Sequence, residues 1–277
     1  SDNSLEYSNQ FRSQNFGSFF YDISYPMKKA GINYDSFLSG KAALMYSPNK
    51  NKNIKNLDRK IDFKNIFTQN RLGLNDSLEG GQSLTLGGEY SLTDKENNNI
   101  LTAGLASVLR DKNENKLPTS STINNKTSDI IGSFYLKPNK NINFDYNFSL
   151  DNDLSSTNYN LIKTEITINK FVTTFEFLQE DDEVGSENHY SNEMKLIFNK
   201  SNSLKYRTRR NKKTDLTEYY NLIYEYKNDC LTAAIQYNKD YYSDKDLKPN
   251  EEIFFSISIL PFSSVNSPSK RKWQKKL

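Results

Sequence analysis

The chain has 277 residues and a net charge of +3; only 35% of its residues are hydrophobic, yet 13% are aromatic, 18 Tyr and 17 Phe among them. Aliphatic content is below that of an ordinary soluble core, and the aromatic content is far too high for disorder, whereas a membrane β-barrel needs apolar residues only at alternate positions and is rich in aromatic girdles. No run approaches the ~18 apolar residues of a membrane helix, so spanning by helices is excluded. Lys270, Arg271, Lys272, Lys275 and Lys276 supply five of the positive charges, which leaves the chain before Ser269 at −2. The basic end therefore reads as a solvated tail in preference to a nucleic-acid or lipid-phosphate patch. The chain opens on Ser1, with no initiator Met or signal peptide, and is expected to be a piece of something longer.

In chain order, alternating segments of about ten residues are separated by turns, the per-strand signature of a membrane barrel. Residues 16–26 place Phe19, Tyr21, Ile23 and Tyr25 on one face, and residues 37–47 follow with Leu38, Ala42, Leu44 and Tyr46 opposite Lys41, Ala43 and Met45. The next stretch, 57–92, holds the longest connection and the most distinctive motif. Residues 58–75 show no sustained period of 2 or 3.6, the Glu79-Gly80-Gly81 step follows, and from Ser83 the chain alternates. Leu84, Leu86, Gly88, Tyr90 and Leu92 fall on one side, and Ser83, Thr85, Gly87, Glu89 and Ser91 on the other. Paired glycines there suit positive φ or a close backbone approach, although spacing alone describes an ordinary surface loop. Further segments follow at 100–110, 129–137, 141–150, 159–168, 171–178, 190–198, 204–209, 219–227, 231–241 and 252–262, thirteen in all.

Long and short connections alternate. Residues 111–128, 151–158, 181–188, 210–216 and 242–249 are long, and 138–141, 169–170, 199–202 and 228–229 are short. Outer-membrane barrels have long loops outside and short turns on the periplasmic side, which predicts residues 48–81 as a long extracellular loop and the C-terminus as periplasmic. In hydrocarbon every backbone polar group needs a partner, so the sheet must close. Apolar faces then look at lipid, while Lys41, Glu89, Arg110, Asp145, Glu165, Glu176, Lys205, Arg207 and Glu225 look into a wet lumen. A charge turned to lipid at mid-bilayer costs roughly 2–4 kcal/mol if basic, so one-residue register errors are penalised. Thirteen is odd, whereas single-chain bacterial barrels have even strand numbers, and a missing N-terminal portion is the preferred reason.

Catalytic chemistry is not expected. His189, the only histidine, reads as a solvated loop residue. One His and one Cys give neither a zinc site nor a Cys–His pair, and no nucleophile elbow, P-loop or dinucleotide fingerprint occurs. Asp181, Asp182, Glu183 and Glu187 share one loop, and solvated charge is a better reading of them than a divalent-ion site. Neither a metal nor a cofactor is expected. Cys230 follows a tight turn on the predicted periplasmic side, and is either one half of a disulfide with a partner elsewhere or an inert small residue.

The succession MYSPNKN, a long loop, NRLGLNDSLEGGQSLTLGGEYSL, and then a terminal DLKPNEEIFFSISILPF resembles the LPS-assembly outer-membrane protein family (LptD/OstA), over about residues 16–262. The resemblance implies a 26-stranded transmembrane antiparallel barrel in the outer membrane, of which this chain is the C-terminal half. Residues 1–262 would form barrel wall and residues 263–277 a basic periplasmic tail. It implies lipopolysaccharide (LPS) as cargo, a plug lipoprotein of LptE type, a periplasmic transport bridge docking through an absent N-terminal domain, and barrel-assembly machinery as partners. Sugars would cross the lumen while lipid A leaves sideways. The last strand, with Ile253, Phe255, Ile257, Ile259, Pro261 and Phe262, resembles one lip of that lateral gate; Pro261 cannot donate to the ladder and weakens the seam. Cys230 resembles one member of the family's cysteine pair, but stands alone here. A porin-like channel shares the strand arithmetic, and a soluble secreted β-rich binding protein is the third alternative; the latter requires the apolar faces to pack on each other.

Overall fold

The computed structural model describes residues 17–75, 77–181, 184–241 and 250–259, and the backbone of 263–266. Fourteen antiparallel strands follow one another as a meander: β1 (Phe19–Ala30), β2 (Tyr34–Ser47), β3 (Gly81–Asp94), β4 (Asn99–Arg110), β5 (Ile130–Asn139), β6 (Ile142–Leu150), β7 (Thr157–Ile168), β8 (Phe171–Glu180), β9 (Asn188–Ile197), β10 (Asn202–Asn211), β11 (Leu216–Lys227), β12 (Leu231–Asp240), β13 (Asn250–Ile259) and β14 (Ser263–Asn266). Each strand pairs with its sequence neighbours, and among the described residues β1 and β14 pair only with β2 and β13. Among the described residues helix is limited to one 3-10 turn, Thr119–Ser121, and none of their helices is long and apolar enough to cross a membrane. All thirteen predicted segments are strands.

The alternation survives as two faces. One carries Tyr25, Leu38, Leu86, Leu105, Phe175, Leu222, Ile235 and Ile253, all exposed; Tyr25 and Ile253 reach 69% and 63%. An apolar surface this continuous marks contact with lipid or another protein, and the described strands form one sheet, with no second sheet among them for the apolar face to pack on. The opposite face follows from the register, because Cα partners share a side. One continuous rung runs Thr102–Tyr135–Asp145–Lys163–Glu176–Ser191–Arg209–Tyr219–Asp240–Asn250. We call this the inner face.

The connections also alternate. Turns at one rim are as short as Asn169-Lys170, where Asn169 takes φ 53° as a tight hairpin asks; the other rim carries residues 48–80 and 111–129. The link between β10 and β11, expected to span 210–216, shrinks to 212–215, because both strands extend past their apolar positions. Residues 263–266, expected in the tail, form β14, whose partners on β13 are Ser256 to Ile259. Residues 242–249, Pro261 and Phe262 lie outside the described residues.

The hydrophobic core lies between the long connections and the inner face. Ile54, Ile61, Phe63, Ile66 and Leu72 from residues 48–80, with Leu117 and Ile123 from residues 111–129, pack on Ala106, Val108 and Ile131 of β4 and β5. The long connection thus leaves its rim and folds back over the sheet, where spacing alone described a surface loop.

Candidate functional site: the loop-filled inner face

Glu79 is the hub of the fastening. Its carboxylate, 3% exposed, accepts a forked pair from Arg71 (Nε to Oε2 2.8 Å, Nη2 to Oε1 2.5 Å) and a further bond from Arg110 at the end of β4. Arg71 also donates to Ser83 and Thr85 of β3, each at 3.0 Å. Arg110 donates to the Gly80 carbonyl at 2.5 Å. Two guanidinium groups and one carboxylate are therefore buried together, which is tolerable only because nearly every donor is satisfied.

The two glycines of the motif have separate causes. A Cβ on Gly80 would stand 2.1 Å from the Asn49 carbonyl oxygen, where the Asn51 amide clamps Gly80 by accepting its N–H at 2.8 Å. Gly81 takes φ +95°, a left-handed value that favours glycine, with Arg110 Nη2 directly above it. The motif is a buckle that closes the loop onto the wall.

Deeper along the sheet, Phe63 and Phe67 meet edge to face with centroids 5.8 Å apart, over Gly104 and Gly87. Both glycines sit six residues from the loop end of their strands, roughly 20 Å along the chain. Any side chain there would collide with the rings. Lys41 stands over both rings at 5.4 and 5.9 Å and pairs with Glu89 at 2.9 Å, so two of the expected lumen-facing residues hold the loop in place.

A third anchor crosses to β8. Lys60 donates to the buried Glu180 at 2.8 Å and to Asp58 at 3.0 Å. Partial burial works against its charge, but those two carboxylates outweigh it and hold its pKa above the ordinary lysine value. Beside it a cavity of about 300 Å³ opens between the connections and β5 to β7, lined by Lys64, Ser121, Asn147, Ser149 and Tyr159 among others. Asp129 closes the outer edge by accepting from Asn158 at 3.0 Å and Ser149 at 2.5 Å.

Across β7 to β11 the inner face is charged but roofless. Lys163 and Glu176 stand 3.9 Å apart, Glu193 accepts from Arg207 and lies 3.3 Å from Lys205, and Arg209 pairs with Glu218. Here a cavity of about 390 Å³ is bounded by Glu165, Thr174, Ser191, Glu193, Arg207 and Tyr219. Arg110, Asp145, Glu165, Glu176, Lys205, Arg207 and Glu225 share this face by register, as do Lys41 and Glu89.

Sequence reasoning did not single out Arg71, Lys60, Glu180 and Glu193, whose importance depends on partners brought from other elements. His189 is a correction. It is the second residue of β9, 6% exposed and opposite Leu178, not a solvated loop residue. The strand begins earlier than its apolar pattern, which draws the imidazole under the sheet. Asp182 and Glu183 lie outside the described residues, and no metal-binding cluster occurs among the described ones. Cys230 is an exposed free thiol in the β11–β12 turn. On β13, Ile253, Phe255, Ile257 and Ile259 share the outer face.

A long antiparallel meander with an apolar outer face, a charged inner face and loops tucked over it is a sheet of the kind that walls outer-membrane barrels. The profile of the LPS transport system D family (LptD) matches residues 2–175, and the chain belongs to that family. It is a transport and assembly family, not an enzyme family. The match covers the loop-filled strands and ends within β8. Comparison with curated proteins finds no match. Among solved structures, a triple mutant of the Rhodopseudomonas blastica porin is similar over 91% of this chain and 91% of that chain, at 7% identity and a TM-score of 0.38.

Proposed function

We propose that this chain is the C-terminal part of a closed outer-membrane barrel that delivers LPS to the outer leaflet. The saccharide moves along the polar inner face, and the acyl chains leave sideways beside β13, where Ile253, Phe255, Ile257 and Ile259 meet lipid. The reading rests on family membership, and one observation carries it further: a single sheet bears continuous exposed apolar surface on one side and rungs of charge on the other. Such a sheet separates hydrocarbon from water, and an amphiphile crossing it keeps each part in its own solvent. The edge strand β14 pairs with only four β13 residues at the short-turn end, which makes this seam shorter than the strand pairs elsewhere in the wall.

The partners of this reading are LPS, a plug lipoprotein, the periplasmic transport bridge and barrel-assembly machinery. In this reading Cys230, an exposed thiol in the β11–β12 turn, bonds a cysteine of a periplasmic domain. The test is a photoreactive residue at position 257 in the whole protein, followed by blotting for LPS. Adducts that depend on the upstream transport pathway support the lateral exit. An inserted protein without adducts supports the porin alternative.

A further inference from the structure

The inner face near the turn rim carries an unbalanced rung. Lys195 of β9 and Lys205 of β10 are cross-strand partners, so two ammonium groups stand on one face directly opposite each other. Like charges so placed destabilise a sheet, and the flanking residues of the rung, Val172 and Ile223, bring no compensation. Lys205 shares Glu193 with Arg207, whereas Lys195 makes no ion pair among the described residues. Glu225 lies one rung nearer the rim, opposite Ser203. Three cations therefore face two carboxylates. Arg207 also lines the cavity of about 390 Å³, whose walls carry the hydroxyls of Thr174, Ser191 and Tyr219 beside the carboxylates of Glu165, Glu176 and Glu193.

We propose that Lys195 and Lys205, with Arg207 beyond them, form a subsite for a phosphate monoester carried on a saccharide whose hydroxyl groups occupy the adjoining cavity. A phosphate offers several oxygens at once, which suits two point charges and one guanidinium fork. It also removes the repulsion between the lysines. The hydroxyl-bearing wall both donates and accepts, as sugar hydroxyls require. The rung is close to the short-turn ends of β9 and β10, so cargo arriving from that rim meets it early. The inference rests on the transport reading, in which the phosphate arrives on a lipid head group; inorganic phosphate is the other source of the same chemistry.

The test uses the whole protein folded in detergent, titrated with labelled LPS, with the same LPS after enzymatic removal of its phosphates, and with inorganic phosphate as competitor. The native protein is expected to prefer the phosphorylated form by about tenfold. Lys195→Gln with Lys205→Gln should lose that preference and keep its affinity for the dephosphorylated form. Lys195→Arg with Lys205→Arg should retain the preference, which separates loss of charge from loss of fold. If millimolar inorganic phosphate leaves the preference intact, the head group is the source; if it abolishes the preference in the native protein, the free anion is also a ligand. Equal native affinities for the two forms, or a preference that survives in the Gln variant, overturn the proposal. Failure of the native protein to bind either form overturns the transport reading, and this inference with it.

Discussion

Across β2 to β6, and at the loop ends of β7 and β8, the inner face is roofed by residues 48–80 and 111–129, while over the rest of β7 and β8 and across β9 to β13 it stands bare, although the same alternation of residues built both. In the roofed half, small residues line the wall where the loops press: Gly87 and Gly104 under phenylalanines, Ala43 and Ala106 beside them. In the bare half the equivalent positions are Glu193, Lys195, Lys205, Arg207 and Asn221. Among the described residues every buried hydrophobic side chain occurs at or before Val184. Where an inward position supports a loop it is small, apolar, or a polar or charged group bonded into the loop's anchors, as Lys41 and Arg110 are; where it meets water it is charged or polar and open. One half of the sheet is a floor, and the other a surface for cargo.

That contrast is broken most severely at the buckle. Glu79→Ala leaves two buried guanidinium groups without their carboxylate and should cost roughly 3–5 kcal/mol, read as protease sensitivity of residues 48–80 and a lower denaturant midpoint. Ile66→Ala, at a side chain 1% exposed, should cost roughly 2–5 kcal/mol, whereas Ile253→Ala, on the exposed face of β13, should leave the loop's protease resistance unchanged. Gly80→Ala forces a methyl against the Asn49 carbonyl and should cost about 1–3 kcal/mol, with Gly40→Ala as the control, since nothing lies within 4 Å of a Cβ there. The smallest effect belongs to the bare half: Glu193→Gln disturbs only half-exposed ion pairs and should change stability by about 1 kcal/mol or less. Lys60 adds a pH prediction. Its pKa is raised on folding, so its bond to Glu180 contributes fully below the ordinary lysine value of 10.5 and is lost as pH climbs through the raised value. On the lysine side, loop anchorage, followed by proteolysis, should be flat around neutrality and weaken as pH rises into strong alkali.

The strands were legible because a sheet with one apolar side imposes a period of 2, and β6 (Ile142–Leu150) keeps it without interruption. The roof was not legible. Residues 58–75 have no period because they pack through scattered side chains, Ile61, Phe63, Ile66 and Leu72, that answer to the wall and not to a regular element. Glu79, Gly80 and Gly81 were visible as a motif, but their meaning lay in Asn49, Arg71 and Arg110, neighbours only after folding. His189 was misjudged because the apolar pattern of its strand starts only at Tyr190, whereas β9 begins at Asn188 and pairs His189 with Leu178. The polar positions share one side of the sheet by register, and the division of that side into floor and bare surface depends on where the loops fold.

The most direct test places a photoreactive residue on the inner face in each half of the whole, inserted protein, at position 108 in β4 and at position 236 in β12. Residue 108 should crosslink only to residues 48–80 or 111–129 of its own chain, and residue 236 to LPS in actively exporting cells. LPS adducts at position 108, with none at position 236, would contradict the account.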